Sequence, residues 1–344
     1  DTVMGAINEA MLRFETNGIP ETDLQRIIAG METSFYRQLS DVDGKAIQMA
    51  HNNILTGDPA YSEKELKKML SVSTEDVMRV YNTYLKDRNF VATSFVPRGQ
   101  LALMLEGSQK AEVVEESIED AIAETYDIYE EVPYEKTAST FDRSKEPPYG
   151  PELKLAVPEV WEETMSKGIR VLGIENREVP LVYFNLYLDG GQLLETPEQT
   201  GISNILAELM NKGTRNKTPE ELEKAIKQLG SSIRFSSSQE YITVSGLSLA
   251  KNYRETMALV EEMLLEPRWD EAELELIRKS VESRLAQQAG NPNAIARLEF
   301  DKLIYGEGDI RSLNRLGTRE YVGSIEMTDL KTFYEKAFNP AAAR

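Results

Sequence analysis

Three helical signals occur twice in this chain, in the same order and 250, 251 and 253 residues apart. Each set begins a long helix, ends the next helix at a glycine and places an acidic residue in the first turn of the last helix. The first set is Asp23, Gly57 and Asp76, and the second is Glu273, Gly308 and Asp329. A single such match can be a coincidence among ordinary helical signals, whereas three in register predict two related modules in tandem.

The pattern of apolar residues divides the chain into three segments. Residues 1–98 follow helical spacing and close with an alternating strand at Phe90–Val96 before Pro97. Residues 99–165 form a connector, and residues 166–344 combine short β-rich runs with long helices. The expected fold class is α+β, with tandem related modules that each pack an antiparallel or mixed sheet against long helices. Both modules are expected to be incomplete, and a closing strand is expected after Arg344.

Short β-rich runs in the third segment predict its strands. Ile169–Ile174 and Leu181–Leu188 flank the turn Glu175–Pro180 and predict a hairpin. Further strands are predicted at Ser232–Ser237 and Tyr241–Leu247. Helices are predicted between and after these strands, one of them carrying the apolar residues Ile205, Leu206, Leu209 and Met210.

The connector is acidic and contains prolines. Eleven acidic residues and one lysine lie between Glu106 and Glu135, which gives −10 of the net charge of −19. Such a run can bind a divalent cation or a basic peptide, but it is more often a solvated helix face. We therefore interpret residues 99–165 as an inter-domain linker rather than a ligand site.

The composition excludes several classes of function. The chain has no cysteine and one histidine, so neither a thiolate zinc site nor a site with two histidines can form. A net charge of −19 argues against nucleic-acid binding. No apolar run approaches the roughly 18–20 residues of a membrane span. Periplasm and cytoplasm remain equally open as compartments.

A few residues outside any motif have a functional and a structural interpretation. The functional interpretation of His51 is a ligand or proton shuttle. The structural interpretation, which we favour, is a half-buried histidine on a helix. Gly190-Gly191 is either an anion cradle or a turn, and we favour the turn. Four aromatic residues of the strands line a peptide cleft or pack the sheet, and these alternatives stay open: Tyr183, Tyr187, Phe235 and Tyr241.

The stretch Gly190–Thr214 carries a recognisable pattern. A predicted strand ends at Asp189 and is followed by the glycine pair Gly190-Gly191. The pattern continues with Glu195, Thr200-Gly201 and a closing Lys212-Gly213-Thr214. This arrangement resembles the pitrilysin/insulinase metallopeptidases, whose domains carry an inverted zinc motif, H-x-x-E-H, between the same markers. The resemblance extends over Trp269–Pro292 and Tyr305–Gly317 and implies a family fold of α+β domains in tandem.

The zinc chemistry of that family is missing at the matching positions. The resemblance places Asn204 and Glu208 at the two histidines and Ala207 at the general base, and it places Arg284 at the carboxylate that completes the zinc site. We therefore expect no catalytic, cofactor-binding or metal-binding residues in this chain. Arg284 and Glu208 are expected either to form an ion pair in place of the metal or to be two independent surface charges.

The resemblance implies a fragment from the middle of a two-half zinc endopeptidase. Residues 1–98 would end the last domain of the first half, and residues 166–344 would open the non-catalytic second half. Zinc is implied only for a first-half domain outside this chain. The expected partners are the remaining domains, peptide substrates and a second copy joined through unpaired sheet edges. The alternative is a purely structural relative, such as a respiratory-complex core protein or the non-catalytic subunit of a two-chain processing peptidase.

Overall fold

The computed structural model describes residues 2–109, 142, 144–146, 150 and 157–338. Packing divides the chain into two compact units. One contains Asp1–Thr16 and Asp87–Val157, and the other contains Asn17–Lys86 and Pro158–Arg344. Most of the acidic run predicted as a linker lies outside the described residues. The division at residues 98 and 165 stays a prediction, and the two units follow a different partition of the chain.

The described part of the first unit contains one α-helix and buries few side chains. Helix α1 (Thr2–Asn17) buries none of its residues, and a short 3₁₀ helix follows at Leu101–Leu103. The strand predicted at Phe90–Val96 is wrong, because these residues belong to no helix or strand. A strand needs a hydrogen-bonded neighbour, and Phe95 here is fully exposed.

The second unit contains eleven α-helices among its described residues. Four precede residue 86: α2 (Glu21–Gln38), α3 (Val42–Thr56), α4 (Ser62–Leu70) and α5 (Thr74–Tyr84). Seven follow residue 200: α6 (Ile202–Met210), α7 (Pro219–Gln228), α8 (Tyr253–Leu265), α9 (Glu271–Ala289), α10 (Pro292–Tyr305), α11 (Arg319–Ser324) and α12 (Met327–Ala337). None of the helices in the part of the chain that the structure describes is long and apolar enough to cross a membrane.

Two antiparallel sheets complete the second unit. Strands β1 (Val160–Thr164) and β2 (Arg170–Ile174) form a hairpin. Strands β3 (Leu181–Asp189), β4 (Ser232–Ser237) and β5 (Tyr241–Leu249) form a sheet with β5 in the centre. The α+β fold class is confirmed.

The predicted pairing of Ile169–Ile174 with Leu181–Leu188 is wrong, although both strands form. Strand β3 pairs instead along its whole length with β5, from Leu181 opposite Leu249 to Asp189 opposite Tyr241. This longer ladder takes β3 into the sheet that covers the core, where Leu188 is buried. Strand β2 is left to pair with the local strand β1.

The core of the second unit lies between the three-stranded sheet and its helices. Helix α6 packs against β4, α9 and α12. Its residues Ile205 and Leu206 are buried together with Ile242 and Val244 of the central strand. Burial of such side chains contributes about 1.5–3 kcal/mol each before the entropy of ordering is subtracted. The position of α6 is therefore fixed from three sides.

The repeat of helical signals is confirmed as a repeat of helix order, although the second helix of the second set ends at Gly306 and not at the predicted Gly308. Helices α2 to α5 and helices α9 to α12 each run as a long helix, a second helix, a short helix and a final helix. The final helix begins with a capping box in both sets, formed by Ser73 with Asp76 and by Glu326 with Asp329. Superposition of the two sets stays a prediction.

Helix α2 packs on the same unit as the sheet. It lies against α7, and the Thr33 hydroxyl donates to the Gly230 carbonyl over 2.6 Å. The Lys251 ammonium donates to both carboxylate oxygens of Glu32, over 2.8 and 2.7 Å. Gly230 has φ +62°, and a Cβ there would lie 2.6 Å from the Ala29 carbonyl oxygen. Glycine is therefore required where the two elements meet.

Candidate functional site

Helix α6 carries the positions at which the resemblance places zinc ligands, and its N-terminus is fixed by Glu195. This buried carboxylate accepts hydrogen bonds from the backbone N–H groups of Gly201 and Ser203, both over 2.9 Å, and from the Ser203 hydroxyl over 2.5 Å. Burial raises the pKa of Glu195, and the hydrogen bonds from Ser203 and Gly201 oppose that rise. Glu195 thus satisfies helix N–H groups that would otherwise be unpaired.

Gly201 is needed where the chain enters α6. Its φ is +103°, and a Cβ at this position would lie 2.7 Å from the Leu316 carbonyl oxygen. Gly317 has φ +87°, and a Cβ added at this position would lie 2.3 Å from the Thr200 carbonyl oxygen. The two backbones cross too closely for any side chain. The crossing explains why Gly201 and Gly317 both belong to the pattern seen in the sequence.

The C-terminal end of α6 is tied to the edge strand β4. The side-chain amide of Asn211 donates to the Phe235 carbonyl over 3.0 Å, and its oxygen accepts from the Phe235 N–H over 2.9 Å. Beyond it, the buried Thr214 hydroxyl donates to Glu262 over 2.6 Å. The helix is therefore held at both ends, and its side chains point in fixed directions.

The structure brings Asn204, Glu208 and Arg284 together. Arg284 on α9 donates through Nη2 to Oε1 of Glu208 on α6. The Asn204 side-chain amide donates to the same carboxylate oxygen over 3.1 Å. The ion pair predicted between Arg284 and Glu208 is confirmed, and the alternative of two independent surface charges is wrong.

These residues do not fit a zinc ion. Ala207, at the position of the general base, is an apolar side chain with 1% of its surface exposed. Asn204 is a weak neutral ligand, and the single carboxylate, Glu208, is already bound to a guanidinium. Zinc sites use neutral imidazoles and anionic carboxylates or thiolates, and a fixed cation beside the metal opposes its binding.

A cleft of about 770 Å³ opens beside Asn204. It is bounded by α6, α9, α10 and the segment that follows α10. Polar side chains dominate its wall: Gln192, Asn204, Gln288, Arg297, Arg311 and Arg315. The sequence analysis missed all of these except Asn204, because isolated Gln and Arg residues on helices and loops form no periodic or spaced signal.

The remaining residues singled out in the sequence lie outside this cleft. The N–H groups of Gly190 and Gly191 both donate to the Glu240 carbonyl, over 3.2 and 3.1 Å, so these groups are already paired and do not form an anion cradle. A Cβ at Gly191 would lie 2.4 Å from the Ser238 carbonyl oxygen. His51 is exposed on α3, and the prediction of a half-buried histidine is wrong. Helix α3 turns Gln48 and Asn52 inward instead.

Three of the four aromatic strand residues pack against the core or against each other, whereas Tyr183 is 59% exposed. Phe235 is buried in the core. Tyr187 and Tyr241 form an edge-to-face pair with their ring centroids 5.6 Å apart, and Tyr183 is exposed on the same strand as Tyr187. None of the four lines the cleft. The arrangement agrees with sheet packing.

A known family model matches the part of the chain that contains α6 and α9. Residues 170–306 match the family model described as Insulinase (Peptidase family M16). These residues are an M16-family domain. The matched range contains Asn204, Ala207, Glu208 and Arg284, so the substitutions lie inside the domain.

Relatives of this M16 domain carry contrasting names. The chain is 24% identical over 178 residues to "Non-peptidase homolog YmxG" of Helicobacter pylori, which covers 52% of this chain and 41% of that protein. It is 24% identical over 177 residues to "Uncharacterized zinc protease YmxG" of Bacillus subtilis, covering 52% and 43%. The chain therefore spans less than half the length of these relatives.

A solved structure shares the fold. It is a crystal structure of a peptidase M16 inactive domain from Pseudomonas fluorescens, with a TM-score of 0.51 and 21% sequence identity. The match covers 54% of this chain and 45% of that one. At this identity the similarity shows the fold of the M16 domain.

Proposed function

We propose that this chain is the non-catalytic, substrate-enclosing and structural part of an M16 zinc endopeptidase that hydrolyses peptides. One observation carries the proposal: Arg284 and Glu208, which the resemblance assigns to two zinc-ligand positions, form an ion pair with each other. A guanidinium–carboxylate pair neutralises both charges without a metal and joins the same two helices. The domain would keep its fold without the residues that bind zinc and activate water.

The chemistry of the other residues at the position supports an inactive domain. A zinc peptidase needs a base that activates the metal-bound water, and Ala207 has no titratable group. Asn204 already donates to Glu208. The proposal therefore assigns zinc, and the hydrolytic step, to another domain or subunit that this chain would accompany. Homodimer formation through the strand edges is a further proposal, to be tested by sedimentation of the purified chain.

A cleavage assay tests the proposal. The purified chain is incubated with a fluorogenic peptide library, alone and as part of the complete protein from which it derives, with and without a zinc chelator. We expect no cleavage by the chain alone and chelator-sensitive cleavage by the complete protein. Cleavage by the chain alone would overturn the non-catalytic assignment. An inactive complete protein without an H-x-x-E-H sequence would favour the purely structural relative.

A further inference from the structure

The cleft beside Asn204 is positively charged in a strongly acidic chain. Three arginines line it, Arg297, Arg311 and Arg315, against one acidic side chain, Asp301. The chain as a whole has a net charge of −19. A concave site with a local excess of positive charge attracts negatively charged ligands.

Two of these arginines are available to a ligand. Arg311 is held by Asp309 through Nε and Nη2, over 2.8 and 2.7 Å, and lies 4.4 Å from the centre of the Tyr305 ring. Arg297 and Arg315 are exposed, and in the described ranges no carboxylate lies within ion-pair distance of either. A free guanidinium binds a carboxylate through two parallel hydrogen bonds.

Gln192 adds an unpaired acceptor to the wall of the cleft. Its side chain is 1% exposed, and its Nε2 donates to the Leu313 carbonyl over 2.9 Å. This bond fixes which end of the amide carries the oxygen. Oε1 is buried and has no hydrogen-bond partner. An unpaired buried acceptor costs about 1–3 kcal/mol, which a ligand N–H group would recover.

We infer that this cleft binds an acidic peptide segment, with glutamate or aspartate carboxylates on Arg297 and Arg315 and a backbone N–H group on Gln192 Oε1. A peptide offers both kinds of group, whereas a small dicarboxylate has no N–H donor for Gln192. The volume of about 770 Å³ falls in the usual range of ligand pockets, about 300–1,000 Å³. The inference rests on the proposed peptide-handling function and names the class of peptide.

Fluorescence anisotropy with the purified 344-residue chain tests the inference. The probes are fluorescein-labelled peptides of four Ala-Glu, four Ala-Gln or four Ala-Lys repeats, each with an amidated C-terminus. We expect only the Ala-Glu peptide to bind, and added salt to weaken it. R297Q/R315Q should lower its affinity at least about tenfold. The control R215Q/R254Q removes the same charge from exposed arginines outside the cleft and should leave the affinity nearly unchanged.

The hydrogen bond to Gln192 is tested on the peptide, so that the buried side chain stays intact. Single backbone N-methyl groups are moved along the Ala-Glu peptide. We expect one position to lower the affinity about fivefold or more, because methylation removes the N–H donor. Succinate should compete only weakly. Succinate binding as tightly as the peptide would overturn the peptide assignment.

Other outcomes separate this inference from the proposed function. Equal binding of the three peptides, or an equal loss in the two double variants, would overturn the acidic-peptide site. Neither outcome concerns zinc or cleavage, so the non-catalytic assignment would stand. Conversely, zinc-dependent cleavage by the chain alone would overturn the assignment and leave the binding data valid.

Discussion

Arg284 of α9 donates a hydrogen bond to the Glu208 carboxylate of α6, and this bond joins the two helices where the M16 resemblance places a metal ion. Both side chains are partly buried, with 38% and 29% of their surfaces exposed. An ion pair in such a place stabilises less than its charge suggests, because both groups lose water. Its main effect is to leave no uncompensated charge between the helices.

Loss of one member of this pair should destabilise the domain more than loss of an exposed pair. Arg284→Met leaves the Glu208 carboxylate partly buried without its cation, and we expect a loss of about 1–2 kcal/mol in the free energy of unfolding. The control Lys67→Met breaks an exposed pair with Glu63 and should cost under about 0.5 kcal/mol. Urea unfolding measures both, and equal losses would contradict a special role for Arg284.

Rebuilding a zinc site should require a substitution of Arg284 in addition to three substitutions on α6. The triple variant N204H/A207E/E208H restores the histidines and the base but leaves the Arg284 cation beside the metal. Adding R284E supplies the missing carboxylate. We expect the quadruple variant to bind zinc at least about tenfold more tightly than the triple variant in a competitive chelator titration. Equal affinities would show that Arg284 is not at the third ligand position.

The contribution of Glu195 to the free energy of unfolding should decrease as the pH rises. Burial raises the pKa of Glu195 in the folded state, so the folded chain binds the proton more tightly than the unfolded chain. Its contribution is therefore full below about pH 4.5 and is lost as the pH rises through the folded pKa.

The variant Glu195→Gln isolates this term. It should be destabilised throughout, by about 1–3 kcal/mol, since one amide oxygen cannot accept all three hydrogen bonds. The difference from the unaltered chain should shrink from pH 4.5 upward. The control is Glu198→Gln, an exposed residue of the same segment. A difference that grows with pH would contradict the raised pKa.

Gly230 and Gly57 form a matched pair for the contact between α2 and the rest of the unit. Both have positive φ, +62° and +73°, but only Gly230 faces a neighbouring backbone. Gly57→Ala should cost about 1 kcal/mol through its backbone conformation alone. Gly230→Ala should cost at least about 1 kcal/mol more, because the Ala29 carbonyl would have to move. Thermal unfolding gives the comparison, and equal losses would contradict close packing of α2.

The sequence predicted the features that depend on local chemistry. The apolar spacing of α6, the strands predicted at Ser232–Ser237 and Tyr241–Leu247, and the repeated order of helices all follow from residues close together in the chain. The Arg284–Glu208 pair followed from the family spacing. The partner of β2 could not be predicted, because strand pairing depends on contacts far apart in the sequence.

The cleft was beyond prediction for a similar reason. Gln192 differs from any other glutamine only because the fold buries its oxygen without a donor. Arg297 and Arg315 differ from other exposed arginines without a carboxylate partner among the described residues, such as Arg215 and Arg254, only because the fold places them on the wall of the cleft. Such properties belong to the packed structure rather than to a local pattern. His51 shows the converse, since its helix turns polar residues inward and leaves Ile54 and Leu55 exposed.

Zinc content tests the central claim most directly. The purified chain is equilibrated with excess zinc, dialysed against metal-free buffer and measured by elemental analysis, with the quadruple variant as the positive control. We predict well under one zinc per chain for the unaltered protein, because Arg284 is bound to the Glu208 carboxylate and Asn204 and Ala207 stand at the other matched positions. One zinc per chain, lost on substitution of Glu208, would contradict the account.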